Sequence, residues 1–223
     1  MKDNENIAKE INAINATLPQ GVTLIAVSKY HPAEAIIAAY EAGQRDFGES
    51  KAQDLVKKHE ALPEDIKWHF IGHLQSNKIK YIAPFIHLIH SIDSYRLLQE
   101  VDKHANKAGR IINCLLQIHI AKEESKFGFT PEELREMLKE GMWRELHNVR
   151  IRGVMCMASN TDDEKEIDRE FATVESLFNE IKKEFFFNND GFEIISAGMS
   201  DDYPIAVKHG STHIRVGSRI FNQ

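Results

Sequence analysis

LIAVSKYHPAEAIIAAYEAG, residues 24–43, contains one complete change of period. Its first four residues are apolar on both alternating faces, as in a strand covered on two sides. After His31 and Pro32 the apolar residues return at helical spacing, and Gly43 stands where such a helix stops. The same alternation recurs along the chain. Strand character is expected over residues 22–27, 46–48, 68–71, 86–92, 111–120, 149–157, 193–196 and 213–216. Helical spacing is expected over 32–42, 51–61, 77–81, 95–108, 131–140, 163–185 and 202–208. Thr130 before Pro131 is a helix start, Thr161 precedes an acidic first turn, and Gly109 and Gly141 mark further stops. Strand-then-helix units behind one leading helix, residues 5–17, predict a (β/α)8 TIM barrel, a single α/β domain over residues 1–223 with no second domain. The rival is an open doubly wound sheet, against which the G-x-G-x-x-G and G-x-x-x-x-G-K-[ST] loops and the G-x-S-x-G elbow are all missing.

Composition narrows the function. A chain of 223 residues that is 42% hydrophobic and 28% charged can bury a sizeable core. A net charge of −6, without a basic patch interleaved with aromatics, argues against nucleic acid as a partner. No run approaches the ~20 apolar residues of a spanning helix, and MKDNENIAKEINAI lacks the apolar heart of a signal peptide, so no membrane partner and a cytoplasmic location are expected. Cys114 and Cys156 lie in separate apolar runs and are expected to be small core residues. The pairs His69/His73 and His87/His90 are not on a shared helix face, and no HExxH occurs, so no metal site is expected. The run KKEFFFNND is expected to be the packed end of a helix.

Barrel chemistry sits at the C-terminal ends of strands, so the polar residues that follow each apolar run carry the functional information. Lys29 follows the first run and shares the face of Thr23, Ile25 and Val27. If that face is the inner one, partial desolvation leaves a fraction of neutral, nucleophilic amine suited to a Schiff base with an aldehyde. The same spacing fits a lysine that pairs with an acid such as Glu49. After the seventh and eighth runs, SAGMSDD and RVGS offer Gly198, Ser200, Gly217 and Ser218, glycines and hydroxyls beside helix starts, the recurrent phosphate cradle of these barrels. An amine, a phosphate cradle and the inward arginine Arg215 together describe a site for a phosphorylated aldehyde, and pyridoxal 5'-phosphate fits that description.

The ordered motifs AVSKYHP, FGES, WHFIGHLQSNK, EESKFG, GVM and SAGMSDDYPIAVKHGSTHIRVGSRIF resemble those of the pyridoxal-phosphate homeostasis protein family, single-domain relatives of the alanine racemase barrel. The resemblance spans essentially the whole chain. It implies that Lys29 carries the cofactor as an internal aldimine and that Ser200, Gly217 and Ser218, with the backbone of Met199, hold its phosphate. It also implies that Arg215 meets the pyridine nitrogen. A guanidinium there opposes ring protonation and makes the ring a poor electron sink, which suits holding the cofactor better than transforming amino acids. The sequence departs from the family at Ser50 and His119, where asparagines are usual, and at Asn222, where glycine is usual. Ser50 and His119 face the mouth, so contacts at the ring are expected to differ.

The leading expectation is therefore a monomer or weak dimer that binds pyridoxal phosphate without catalysis, serves vitamin B6 homeostasis and hands the cofactor to apoenzymes. A racemase-like enzyme is the alternative, disfavoured because such barrels take their second acid/base from another domain. A third reading is an aldolase-like barrel that uses Lys29 on a sugar phosphate. Lys78, Lys122 and Lys126 are expected as solvated loop charges, Asp201 and Asp202 as acids favoured by a helix dipole, and Phe127 and Phe129 as loop anchors.

Overall fold

The computed structural model of the protein describes residues 2–121 and 127–221. All eight expected strands are present: β1 Thr23–Val27, β2 Asp46–Glu49, β3 Lys67–Phe70, β4 Leu88–Ile92, β5 Ile112–Ile118, β6 Val149–Cys156, β7 Ile194–Ser196 and β8 His213–Val216. They pair in sequence order, all parallel, and β8 returns to β1, so the sheet closes as a barrel and the doubly wound alternative is excluded. In the closing seam Thr23 lies opposite His213 and Ile25 opposite Arg215. Helices α1 Lys2–Asn15, α2 Ala33–Glu41, α3 Ala52–Ala61, α4 Ile79–Ile82, α5 Tyr95–Lys107, α6 Pro131–Glu140, α7 Glu164–Phe185, α8 Tyr203–Lys208 and α9 Ser218–Phe221 surround it.

Alternation along the strands sorts the side chains into two layers. Leu24, Ala26, Phe47, Trp68 and Phe70 point outward and meet the helices in the main core. α7 contributes Ile167, Phe171, Val174, Phe178 and Ile181, spaced so that they share one face of its 22 residues. Each such side chain is worth about 1.5–3 kcal/mol when fully buried, which is why the amphipathic stripe decides where the helix lies. The barrel interior is smaller and mixed. Leu88, Leu115, Met155 and Ile194 fill part of it, and the rest is polar: His69, His90, Ser196 and Arg215 are all buried.

Local signals explain the ends of most elements. Thr130 accepts from the Glu133 N–H while Glu133 accepts from the Thr130 N–H, a reciprocal cap with Pro131 at the first helical position. Gly43, Gly109 and Gly141 adopt left-handed φ at the expected stops. Several details differ from the sequence expectation. Asp163, not Thr161, caps α7 by accepting from the Lys165 N–H, and Thr161 instead supports Asp163. β5 stops at Ile118 because the next N–H, that of His119, is taken by the Phe129 carbonyl. The expected helix over 77–81 divides into a 3₁₀ turn, Ser76–Lys78, and α4. The 3₁₀ turn Met142–Glu145 and α9 were not expected. Of the three phenylalanines after Glu184, Phe186 stacks on Phe192 and packs against Trp143, but Phe187 is exposed, so the run is only partly a packed end.

Candidate functional site

Because every strand runs the same way, the residues that follow their C-terminal ends share one mouth. At β1 the chain leaves the strand at Val27 and is fastened at once. Ser28 is buried and donates from Oγ to Glu49 Oε1 at 2.6 Å. Lys58 of α3 donates from Nζ to the same carboxylate oxygen at 2.6 Å and to the Ser28 carbonyl at 2.8 Å. Glu49 is in register with the outward residues of β2, so it faces α3 and takes Lys58 as its partner. The alternative that Lys29 serves Glu49 is thereby excluded. Tyr30 follows with φ 69°, a left-handed conformation that costs a non-glycine residue about 1–2 kcal/mol.

The turn carries Lys29 beyond the strand. Thr23, Ile25 and Val27 form the inner face of β1, with Ile25 opposite Arg215. Lys29 itself is exposed at the open mouth, its amine 5.8 Å from the Tyr30 ring. The lysine stands on the turn rather than on the last strand position, which is why its side chain is exposed.

The loops after β7 and β8 form one structure. Gly198 has φ 93°, and a Cβ there would lie 2.7 Å from Tyr203 Cα and 2.8 Å from Ala206 Cβ, so the loop lies directly on α8. Its carbonyl accepts from the Arg215 N–H at 2.9 Å. Buried Asp202 accepts from the Met199 N–H, tying the loop back on itself, which accounts for this acid more specifically than a helix dipole does. Ser218 Oγ donates to Ser200 Oγ at 2.9 Å, bringing the two loops together. Gly217 packs against β1, where an added Cβ would be 3.1 Å from the Val27 carbonyl oxygen. His31, just past the Lys29 turn, stacks on Phe221 of α9 with ring centroids 4.6 Å apart. The segment bearing Lys29 and the segment bearing Gly217 and Ser218 are therefore packed against each other on both sides of the lysine.

Beneath this mouth Arg215 is 4% exposed, its guanidinium bonded to two neutral acceptors: Ser196 Oγ at 2.6 Å and the Cys156 carbonyl at 2.8 Å. From Ser196 a chain of hydrogen bonds crosses the barrel, to His90 Nδ1 at 2.9 Å, from His90 Nε2 to His69 Nδ1 at 2.9 Å, and from His69 Nε2 to Asp46 Oδ1 at 3.0 Å. The carboxylate only accepts, so His69 Nε2 donates to it, and the arrangement in which each member of the chain donates to the next satisfies every group. Arg215 donates to Ser196, Ser196 to His90, His90 to His69 and His69 to Asp46, which places the proton on Nε2 of each imidazole. Burial, reinforced by the neighbouring His69 and Arg215, holds His90 well below the ordinary histidine range, so it is neutral. Burial alone would raise the Asp46 carboxyl, but the hydrogen bond from His69, with the charge of Lys67 nearby, brings it below its usual value.

Other expected residues occupy the rim. Ser50 borders a cavity of about 170 Å³ with His73, Gln75 and Lys78. His119 is half-buried directly after β5. Phe129 is buried, whereas exposed Phe127 stacks on His73 at 3.8 Å. Lys122, Lys126, most of the EESKFG motif and Asn222 lie outside the described residues. Cys114 and Cys156 are buried free thiols, as expected. Sequence reasoning missed the Ser28–Glu49–Lys58 fastening and the Asp46–His69–His90–Ser196 chain. Strand parity was the available signal, because it places His69, His90, Ser196 and Arg215 on inward positions.

Comparison with known proteins agrees with this architecture. Residues 3–222 match the family described as alanine racemase, N-terminal domain. A pyridoxal phosphate homeostasis protein of Helicobacter pylori is 39% identical over 204 residues, 91% of this chain and 88% of that protein. The solved structure of PipY from Synechococcus elongatus without PLP superposes with a TM-score of 0.91 at 37% identity, over 97% of this chain and 100% of that one. Its PLP-bound form gives a TM-score of 0.88. An alanine racemase of Clostridium difficile, 13% identical, shares the fold with a TM-score of 0.78 over 98% of this chain and 57% of its own.

Proposed function

Since the chain belongs to the alanine racemase N-terminal domain family, and within it to the pyridoxal phosphate homeostasis proteins, we propose that it binds pyridoxal 5'-phosphate at the barrel mouth and serves vitamin B6 homeostasis without turning over amino acids. The observation that carries this reading is the Ser200–Ser218 hydroxyl contact, built by two loops against the strand that leads into Lys29. The residues fit the cofactor. Two hydroxyls and two close-packed glycines suit a phosphate, and a buried guanidinium that contacts only neutral acceptors suits a ring nitrogen better than a second anion. When bound, the cofactor supplies a reactive aldehyde on an electron-withdrawing ring.

Lys29 provides the amine that holds the aldehyde. Its turn is fixed by Ser28, Glu49 and Lys58, so the lysine is presented by a rigid base although its own side chain is exposed. Such exposure lets an incoming amine or an apoenzyme reach the same carbonyl, which suits delivery. Met199, Ser200, Gly217 and Ser218 hold the phosphate, and Ser50 and His119 border the ring side. Arg215 keeps its proton and stays fixed through Ser196. It therefore opposes protonation of the ring nitrogen and leaves the ring a weak electron sink. We place this action in the cytoplasm, in keeping with two buried free thiols.

Borohydride reduction of the protein loaded with pyridoxal phosphate, followed by peptide mass mapping, tests the assignment. Label is expected on the peptide containing Lys29 and is expected to vanish in Lys29→Ala. Label on another lysine, or none, removes it. Amino-acid racemisation or decarboxylation at roughly 1 per second or faster would refute the non-catalytic part.

A further inference from the structure

The opposite end of the barrel carries an unassigned group of ligands. Asp46, His69 and His87 come from the first residue of β2, the middle of β3 and the residue before β4, and one ligand atom of each lies within 4.8 Å of the others. Asp46 Oδ1 and His69 Nε2 are 3.0 Å apart, close to the roughly 3.3 Å between two ligands on a tetrahedral ion with bonds of about 2.0–2.1 Å. The His87 ring centroid is 5.3 Å from that of His69, and its side chain forms no hydrogen bond among the described residues. His87 is also exposed, so its ring has room to swing the remaining distance. His87 borders a cavity of about 470 Å³ at this N-terminal floor, together with Asn113, Thr212 and His213. His69 has the outer support that metal-bound imidazoles use, because its Nδ1 meets His90 Nε2 at 2.9 Å.

We propose that Asp46, His69 and His87 form a binding site for one divalent transition ion of the zinc class at the floor of the barrel, separate from the cofactor mouth. Two imidazoles and one carboxylate suit zinc, nickel or copper rather than magnesium or calcium, which prefer all-oxygen sets. A fourth ligand would be water, which can reach the site from the side of exposed His87. Binding at His69 Nε2 moves that ring's proton to Nδ1, which then donates to His90 Nε2. The His90 proton moves in turn to Nδ1 and donates to Ser196. The relay reverses with no net gain or loss of protons, and the ion reaches the environment of Arg215 through Ser196 without touching it.

The test is a zinc titration of the full-length protein by calorimetry, alongside His87→Ala and Asp46→Asn. The substitutions spare the main core because His87 is exposed and Asn retains the size of Asp. One ion per chain is expected for the parent. Each variant should bind more than about 100-fold more weakly, since loss of a direct ligand exceeds the 10–100-fold cost of losing an outer-shell partner. Circular dichroism matching the parent establishes that the variants are folded. Should either be unfolded, imidazole ¹⁵N NMR of the parent decides instead, with His69 and His90 moving from the Nε2–H to the Nδ1–H form on adding zinc. Absence of stoichiometric zinc binding, affinity within about tenfold of the parent in either folded variant, or unmoved tautomers overturns the proposal.

Discussion

Gly198→Ala provides a quantitative test of how the loop after β7 is built. Two terms act. A non-glycine residue in the left-handed region costs about 1–2 kcal/mol. The new methyl, 2.7 Å from Tyr203 Cα and 2.8 Å from Ala206 Cβ, meets backbone and a small buried side chain, neither able to rotate away. Forced overpacking of this kind costs about 1–3 kcal/mol, so the sum is about 2–5 kcal/mol. At roughly 2–4 °C per kcal/mol for a chain of this size, Tm should fall by about 4–20 °C. Gly210→Ala is the control. Its φ of 77° carries a similar backbone cost, but the nearest atom to a new Cβ is Ile195 Cδ1 at an ordinary 3.8 Å. Calorimetry of both variants therefore isolates the packing term as their difference. Because Gly198 also accepts from Arg215 and precedes Met199 and Ser200, the Gly198 variant alone should retain pyridoxal phosphate poorly through gel filtration. Equal Tm losses for the two variants, with equal cofactor retention, would refute the argument that close approach to α8 shapes the cradle.

Two further outcomes follow from the charge pairs. Lys58→Met leaves the 1%-exposed Glu49 carboxylate with only Ser28 as a side-chain partner. Breaking such a buried pair costs about 3–5 kcal/mol, to be read as a lowered urea midpoint at unchanged m-value, and a loss below 1 kcal/mol contradicts the fastening role. His209 clips α8 to α7 through Asp168 and Glu175, both at 3.0 Å. Burial alone lowers its pKa, but the hydrogen bonds and charges of these two acids outweigh that and raise it above 6.5. The folded state thus binds the proton more tightly than the unfolded one. The clip's contribution is fully present below pH 6.5 and is lost as pH rises through the raised folded value. Tm measured against pH should show the advantage of the parent over His209→Gln shrinking across that window, and a constant difference opposes the linkage.

What the sequence determined by itself was the repeating unit and the facing of its residues. The change from period 2 to period 3.6 is a local property, visible within residues 24–43, and its repetition specifies parallel strand–helix units, while the return of β8 to β1 is what closes them into a barrel. Parity is equally local: it groups Ile25 with Thr23 and Val27, and Arg215 with His213 and Gly217, each within its own strand, and leaves open which face is the inner one. The ends of elements were legible where a cap supplies its own partners, as at Thr130, and less so at α7, where Asp163 caps the helix through the Lys165 N–H while Thr161 accepts from the Asp163 N–H.

Only the tertiary structure decided which of these residues meet. Ser200 and Ser218 touch because barrel closure brings successive loops together, and Gly217 abuts Val27 because the last strand returns to the first. Glu49 faces outward to Lys58, and the Tyr30 turn carries Lys29 out of the barrel, so neither the partner of the acid nor the exposure of the lysine follows from spacing. At the floor, one member from each of two unconvincing histidine pairs joins Asp46, an acid no pairwise spacing rule connects with them. Periodicity constrains each residue relative to its own segment, whereas a site is a set of distances between segments, and those are fixed only when the chain closes and its side chains compete for partners.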